Sequence, residues 1–196
     1  MIRPMAIAQE KPFYTAEQYL AVEREAETKS ELFHGELYAM SGASYVHNVL
    51  TTNLAAALHA ALKGGPCRVV ASDLRVKDEL ADSYMYPDLV VVCGEPKFED
   101  RHFDTLLNPT VLIEVLSRST EGHDRGHKFA AFRRIPTVRE VVFVAQDTPL
   151  VERFSPHESG DWLLHAAEGL AGELNLLSLG VQVSLADLYD GALVSA

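Results

Sequence analysis

Three side chains stand where apolar sequence disfavours them. Asp88 opens the run Leu89 to Val92, Glu114 lies inside "TVLIEVLS", and Lys128 borders the apolar side of a segment carrying Phe129, Phe132 and Ile135. An unpaired carboxylate buried among such neighbours costs far more than a neutral polar group, so each needs compensation. A salt bridge to Lys or Arg, a divalent cation, or exposure at a strand's end would each supply it. Two hard oxygen ligands on neighbouring strands suit Mg²⁺ or Mn²⁺, with water and phosphate oxygens completing the shell. Such an ion polarises a phosphate and acidifies its bound water, while a nearby cation offsets charge accumulating on phosphoryl oxygens. A lysine set between the two carboxylates would satisfy all three groups without a metal. Asp124 and Lys128, four residues apart, have by themselves the spacing of an ordinary surface helix pair. The glutamate on the preceding strand is what gives that pair chemical interest.

These residues need a sheet to bring them together. Thr15-Ala16-Glu17-Gln18 is a capping-box pattern that predicts a helix running through Tyr19, Leu20 and Val22. "SELFHGELYAM" reads as a hairpin turning at His34-Gly35. Val46, Leu50, Leu54, Leu58 and Leu62 recur at i, i+4 and predict a long amphipathic helix stopped by Gly64-Gly65. "CRVVASDLRVKDELADSYMYPDLVVV" reads as strand, polar turn (Asp78 to Ser83) and strand; "TVLIEVLS" follows as another strand, then a helix over 121–134 and the strand "REVVFVA". Pro87 biases its predecessor toward extended geometry and lacks an amide to donate, which places Asp88 at the mouth of its strand. The order from residue 46 is αβββαβ, a mixed α/β core with helices flanking a central sheet. The expected division is a single domain over 1–196, with a core of about 44–147, an N-terminal helix and hairpin over 13–41, and C-terminal strands over 149–189.

Composition narrows the function classes. The 196 residues are 47% hydrophobic and 23% charged, ordinary for a globular chain and against disorder. No apolar stretch has the length of a signal-peptide core or a membrane span, so a cytoplasmic protein is expected. Cys67 and Cys93 lack metal-binding spacing and read as reduced core thiols. With 17 basic and 28 acidic residues the net charge is −11, which opposes a broad phosphate-binding surface. One local exception exists: from Arg118 to Arg139 six Lys or Arg face two acids, beside the suspected ligands. Arg118, Arg125 and Arg133 are the candidate nucleic-acid contacts there, although arginine stems packed on a core would give the same pattern.

"YPDLVVV", then "LIEVLSRST", then "DRGHK" resembles the PD-(D/E)XK nuclease superfamily, and within it the Uma-two family of restriction-endonuclease-like proteins. In that family the lysine has moved from two residues after the glutamate to the following helix; here position 116 is Leu116 and the helix offers Lys128. "SELFHGELYAMSG" and His47 resemble the family's hairpin and histidine. The likeness spans about residues 15–147 and implies a restriction-endonuclease-like fold. It further implies a Mg²⁺- or Mn²⁺-dependent endonuclease acting on nucleic acid, with double-stranded DNA the expected substrate; that a small one-sided site must reach both strands of a duplex gives, separately, the expectation of a homodimer. It makes Asp88 and Glu114 metal ligands with the Val115 carbonyl, and gives Lys128 the task of orienting or helping to deprotonate the attacking water. Glu31 matches an N-terminal acidic position, a ligand through water or a solvated hairpin residue. His47 could line the site or simply cap its helix; Asp73 could point into the site or outward; Asp124 is a further site-lining candidate. Arg118, Phe132 and Val142 depart from the family's usual Pro, Tyr and Trp, which touches loop shape and packing. The rival expectation is a module that keeps the fold to bind nucleic acid or protein without catalysis.

Overall fold

The computed structural model describes residues 12–193. In chain order, α1 (Ala16–Glu23) leads into the hairpin β1 (Ser30–Phe33) and β2 (Glu36–Ala39), followed by α2 (Tyr45–Leu62). Then come β3 (Cys67–Ala71), β4 (Arg75–Asp78), β5 (Ser83–Met85), β6 (Leu89–Cys93), β7 (Thr105–Leu106) and β8 (Val111–Leu116). A short α3 (Glu121–His123) continues through a π-helical turn, Asp124–Lys128, into α4 (Phe129–Phe132). The remainder comprises β9 (Glu140–Ala145), β10 (Leu150–Pro156), β11 (Trp162–Glu168), β12 (Glu173–Leu176), β13 (Val181–Ser184) and α5 (Leu185–Leu188). The mixed α/β class and the flanking helices match the sequence-based expectation.

The expected central sheet is a six-stranded one ordered β11-β10-β9-β8-β6-β3, in which only β8 and β9 run parallel, joined by the helical segment 121–132. Alternation along its strands serves two cores. Leu89 and Val91 of β6, with Val111, Ile113 and Val115 of β8, meet Leu50, Leu54, Leu58 and Leu62 of α2. Val90, Val92, Leu112, Leu116 and Phe143 point the other way, toward Ala131, Phe132 and Ile135. Each fully buried leucine of α2 contributes about 2 kcal/mol relative to exposure. The helix starts at Ser44, whose hydroxyl accepts the His47 amide at 3.1 Å, and it ends before Gly64, whose φ of +82° suits only glycine well.

Two expectations need correction. The stretch from Cys67 to Cys93 is four strands rather than two, and its inner pair leaves the central sheet. β4 and β5 join the N-terminal hairpin and β7 in a second sheet, ordered β2-β1-β5-β4-β7, so the hairpin is built into the fold instead of appended to it. Local alternation cannot reveal this, because a strand's pattern says which face is buried and not which sheet it joins. The cysteines are also not free thiols: Cys67 and Cys93 face each other in the β3–β6 register and form a disulfide across 26 residues. Composition cannot see a register. Removing it with Cys67→Ser and Cys93→Ser is expected to cost about 2–4 kcal/mol through the entropy regained by the unfolded chain. Chemical denaturation of the double variant checks this, and an unchanged midpoint would contradict it.

Among the described residues no helix is long and apolar enough to cross a membrane.

Candidate active site

Four elements converge at one end of the central sheet. Asp88, just before β6, is anchored through its own backbone, whose carbonyl accepts the Ser72 amide at 3.0 Å. Its side chain reaches β8, where Oδ2 accepts the Val115 amide at 2.7 Å, while Oδ1 lies 3.0 Å from His47 Nε2. Glu114 stands on the β8 face shared with Leu112 and Leu116 and is only 3% exposed. Lys128 comes from the π turn. There the Phe129 amide bonds back to the Asp124 carbonyl, five residues away, and this wider turn replaces the regular helix that the sequence pattern predicts. From that turn Nζ reaches Glu114 Oε1 at 2.8 Å, Glu31 Oε1 at 3.0 Å and Asp124 Oδ1 at 3.7 Å, and it donates to the Tyr86 carbonyl at 3.3 Å. Glu31, on β1, accepts the Tyr86 amide at 2.8 Å, and its Oε2 lies 3.3 Å from His123 Nε2.

One buried ammonium is therefore shared by three carboxylates, with Asp88 close by. Burial opposes the charge on Lys128, but Glu114, Glu31 and Asp124 outweigh it and hold the amine protonated. For Glu114 burial dominates; Lys128 opposes it, while Asp88, Asp124 and Glu31 add to it, and its pKa is pushed well above the usual carboxylate range. Asp124 is raised for the same reasons, again burial first. Glu31 goes the other way. Burial works against its ionisation, yet the charge of Lys128, with His123 and the Tyr86 amide, keeps it below its ordinary value. His47 is raised, because its bond to Asp88 outweighs burial. Glu114 Oε1 is buried without a hydrogen bond of acceptable geometry, so the ammonium at 2.8 Å compensates it by charge alone.

Among the described residues no group of three or more His, Cys, Asp or Glu side chains is arranged to hold a metal ion. Asp88 and Glu114 nevertheless form a hard-oxygen pair, and Val115, whose amide bonds Asp88 Oδ2, directly follows Glu114. Four carboxyl groups crowd one lysine, which helps to raise the pKa of Glu114, and a divalent cation would relieve that crowding. The donor set thus fits Mg²⁺ or Mn²⁺ chemically.

A cavity of about 830 Å³ opens over this cluster, lined among others by Lys29, Tyr38, His47, Asp88, Glu114 and Lys128. A second of about 750 Å³ adjoins it, sharing Ser44, Ser117 and Gln146 and reaching Arg118. The remaining candidates divide. Asp124 and Glu31 belong to the cluster, whereas Asp73 is exposed and pairs with Lys29 of the cavity lining rather than with Lys128. The Arg118 side chain is 92% exposed, with Asp147 at 3.5 Å. Arg125 is already balanced by Glu121 and Glu152, and Arg133 lies over the Phe129 ring. Sequence reasoning passed over Tyr86 and Gln146. Tyr86 directly precedes the Pro87-Asp88 pair, but its contribution is through backbone atoms that carry no residue signature; Gln146 reaches His47 across 99 residues.

The chain resembles "Uncharacterized protein sll1609" of Synechocystis sp. (strain ATCC 27184 / PCC 6803 / Kazusa), 36% identical over 160 residues that cover 82% of this chain and 90% of that protein. It also resembles "Uncharacterized protein slr1290" of the same organism, 31% identical over 180 residues, 92% of this chain and 93% of that one. Its fold matches the crystal structure of "a putative nuclease belonging to DUF820" from Anabaena variabilis ATCC 29413 with a TM-score of 0.76 at 16% identity, covering 92% of this chain and 99% of that one. A family model described as "Putative restriction endonuclease" matches residues 16–186, nearly the whole described chain, and the chain belongs to that family, Uma2.

Proposed function

We propose that this protein hydrolyses phosphodiester bonds of nucleic acid, with double-stranded DNA as substrate, using Mg²⁺ or Mn²⁺ held by Asp88, Glu114 and the Val115 carbonyl. The observation that carries this reading is the buried cluster of four carboxyl groups around Lys128 beneath a cavity of about 830 Å³. When bound, the ion would supply Lewis acidity and a water of lowered pKa. Asp88 is fixed for its task by the Val115 amide and the Ser72–Asp88 backbone bond. Lys128, held cationic, does not accept a proton; it orients the substrate phosphate and stabilises charge on its oxygens. Glu31, through Lys128 and the Tyr86 amide, fixes the ammonium's position. Arg118, exposed at the second cavity, would meet the phosphate backbone in a protein whose net charge otherwise repels it. Two such sites related by a two-fold axis in a homodimer would address both strands.

A second reading has its own support. Both Asp88 oxygens and the Lys128 ammonium have partners without any ion, as in a fold retained for binding alone. Incubation with supercoiled plasmid separates the two. Nicked and linear products are expected with Mn²⁺ and none with EDTA; intact plasmid in both, or equal cutting in both, would overturn the nuclease assignment.

A further inference from the structure

His47 is the third residue of α2, and its main chain is fixed by the bond from its amide to Ser44 Oγ. Its ring has other business. Nε2 lies 3.0 Å from Asp88 Oδ1, and the Gln146 amide nitrogen faces Nδ1 at 3.4 Å. An amide hydrogen aimed at Nδ1 leaves the ring proton on Nε2, a tautomer assigned from its neighbours. That N–H then points at Asp88 Oδ1. Asp88 is a ligand in the proposed function, on which this inference rests. A ring hydrogen and a dication compete for the same oxygen.

We propose that His47 is a placeholder for the ion: its ring N–H holds Asp88 Oδ1 in the metal-free protein, and a divalent cation binds only as that ring swings away. The geometry allows the movement. The ring lines the cavity of about 830 Å³, so it can turn into open space without disturbing the four buried leucines that seat α2. The placeholder keeps that oxygen from being left bare, as Lys128 does for Glu114 and Glu31. It also sets the metal affinity, because every binding event must first break the ring's bonds. His47 is thus a positioning residue acting through the ligands.

The experiment is titration calorimetry with MnCl₂ on the wild-type protein, His47→Ala and Asp88→Asn. Removing the competing ring is expected to tighten Mn²⁺ binding about tenfold, the equivalent of one good hydrogen bond to a charged group, whereas Asp88→Asn should bind none. A merely structural histidine would weaken binding or leave it unchanged, so equal or looser binding by a folded His47→Ala overturns the placeholder. If wild type, His47→Ala and Asp88→Asn all fail to bind, or all bind alike, the metal reading itself has failed. A second measurement does not depend on the variant folding. In wild-type protein labelled at histidine nitrogen, the Nε2–H resonance of His47 should shift or vanish on adding Mg²⁺; a resonance unmoved at saturating Mg²⁺ also overturns the placeholder.

Discussion

Lys128→Met is expected to lower the unfolding free energy by about 3–5 kcal/mol, the range for removing one partner from a buried charge pair. For a chain of this length that corresponds to a fall in melting temperature of about 10 °C. The reason is not the lost lysine but the carboxylates it leaves behind. Glu114 and Glu31 are 3% and 4% exposed, and with Nζ gone Glu114 Oε1 has no compensation among the described residues. Methionine approximates the lysine stem in volume, so packing alone would predict a small change. Thermal denaturation of the metal-free variant decides the matter. A loss under about 1 kcal/mol, the value of a surface pair, would mean that the cluster is solvated and that Lys128 does not organise it.

Glu114→Gln is expected to act in the opposite direction on stability while destroying function. Nuclease activity should fall at least about 10²-fold, because a neutral amide is a poor ligand for a hard cation and leaves less charge to hold it. The same change should stabilise the metal-free protein near pH 8, since the wild type must there ionise Glu114 against burial. The sign follows from the direction of the shift. Glu114 titrates in the folded state well above its unfolded value of 4.5, so the native protein binds the extra proton in the window between those two values. Its destabilising effect is full above the folded pKa and disappears as pH falls toward 4.5. Glutamine does not titrate, and Lys128 keeps Glu31 at 3.0 Å. The difference in melting temperature between Glu114→Gln and wild type, both in EDTA, should therefore be largest near pH 8 and shrink toward pH 5. A difference that stays constant over that range, or a variant less stable at pH 8, would refute the assignment of Glu114 as the strained member of the cluster.

Much of this was legible before any coordinates. The i, i+4 leucines of α2 are buried as their spacing requires, and the capping box at Thr15 and Gln18 forms. Asp88 sits just outside β6, where Pro87 confines it, and it meets the β8 strand through Val115. Less visible was anything that depends on which strands become neighbours. The hairpin's place in a second sheet, the facing of Cys67 and Cys93, and the outward turn of Asp73 toward Lys29 all depend on pairings between distant segments. The local basic count from Arg118 to Arg139 could not show that Arg125 is already matched by Glu121 and Glu152.

By itself the sequence determined the elements and the ionisable residues available to them, because periodicity, caps and turn residues act over a few positions and are written locally. It also determined that charges at 88, 114 and 128 require partners, since desolvation follows from residue type and apolar surroundings. Only the tertiary structure decided who those partners are. Lys128 reaches Glu114 and Glu31 because a π turn and two separate sheets place their ends within 3.0 Å, and His47 reaches Asp88 across 41 residues by the packing of α2. Charge interactions of this kind change over ångströms, and distances between remote segments are set by the packing of the whole chain rather than by any local stretch of it.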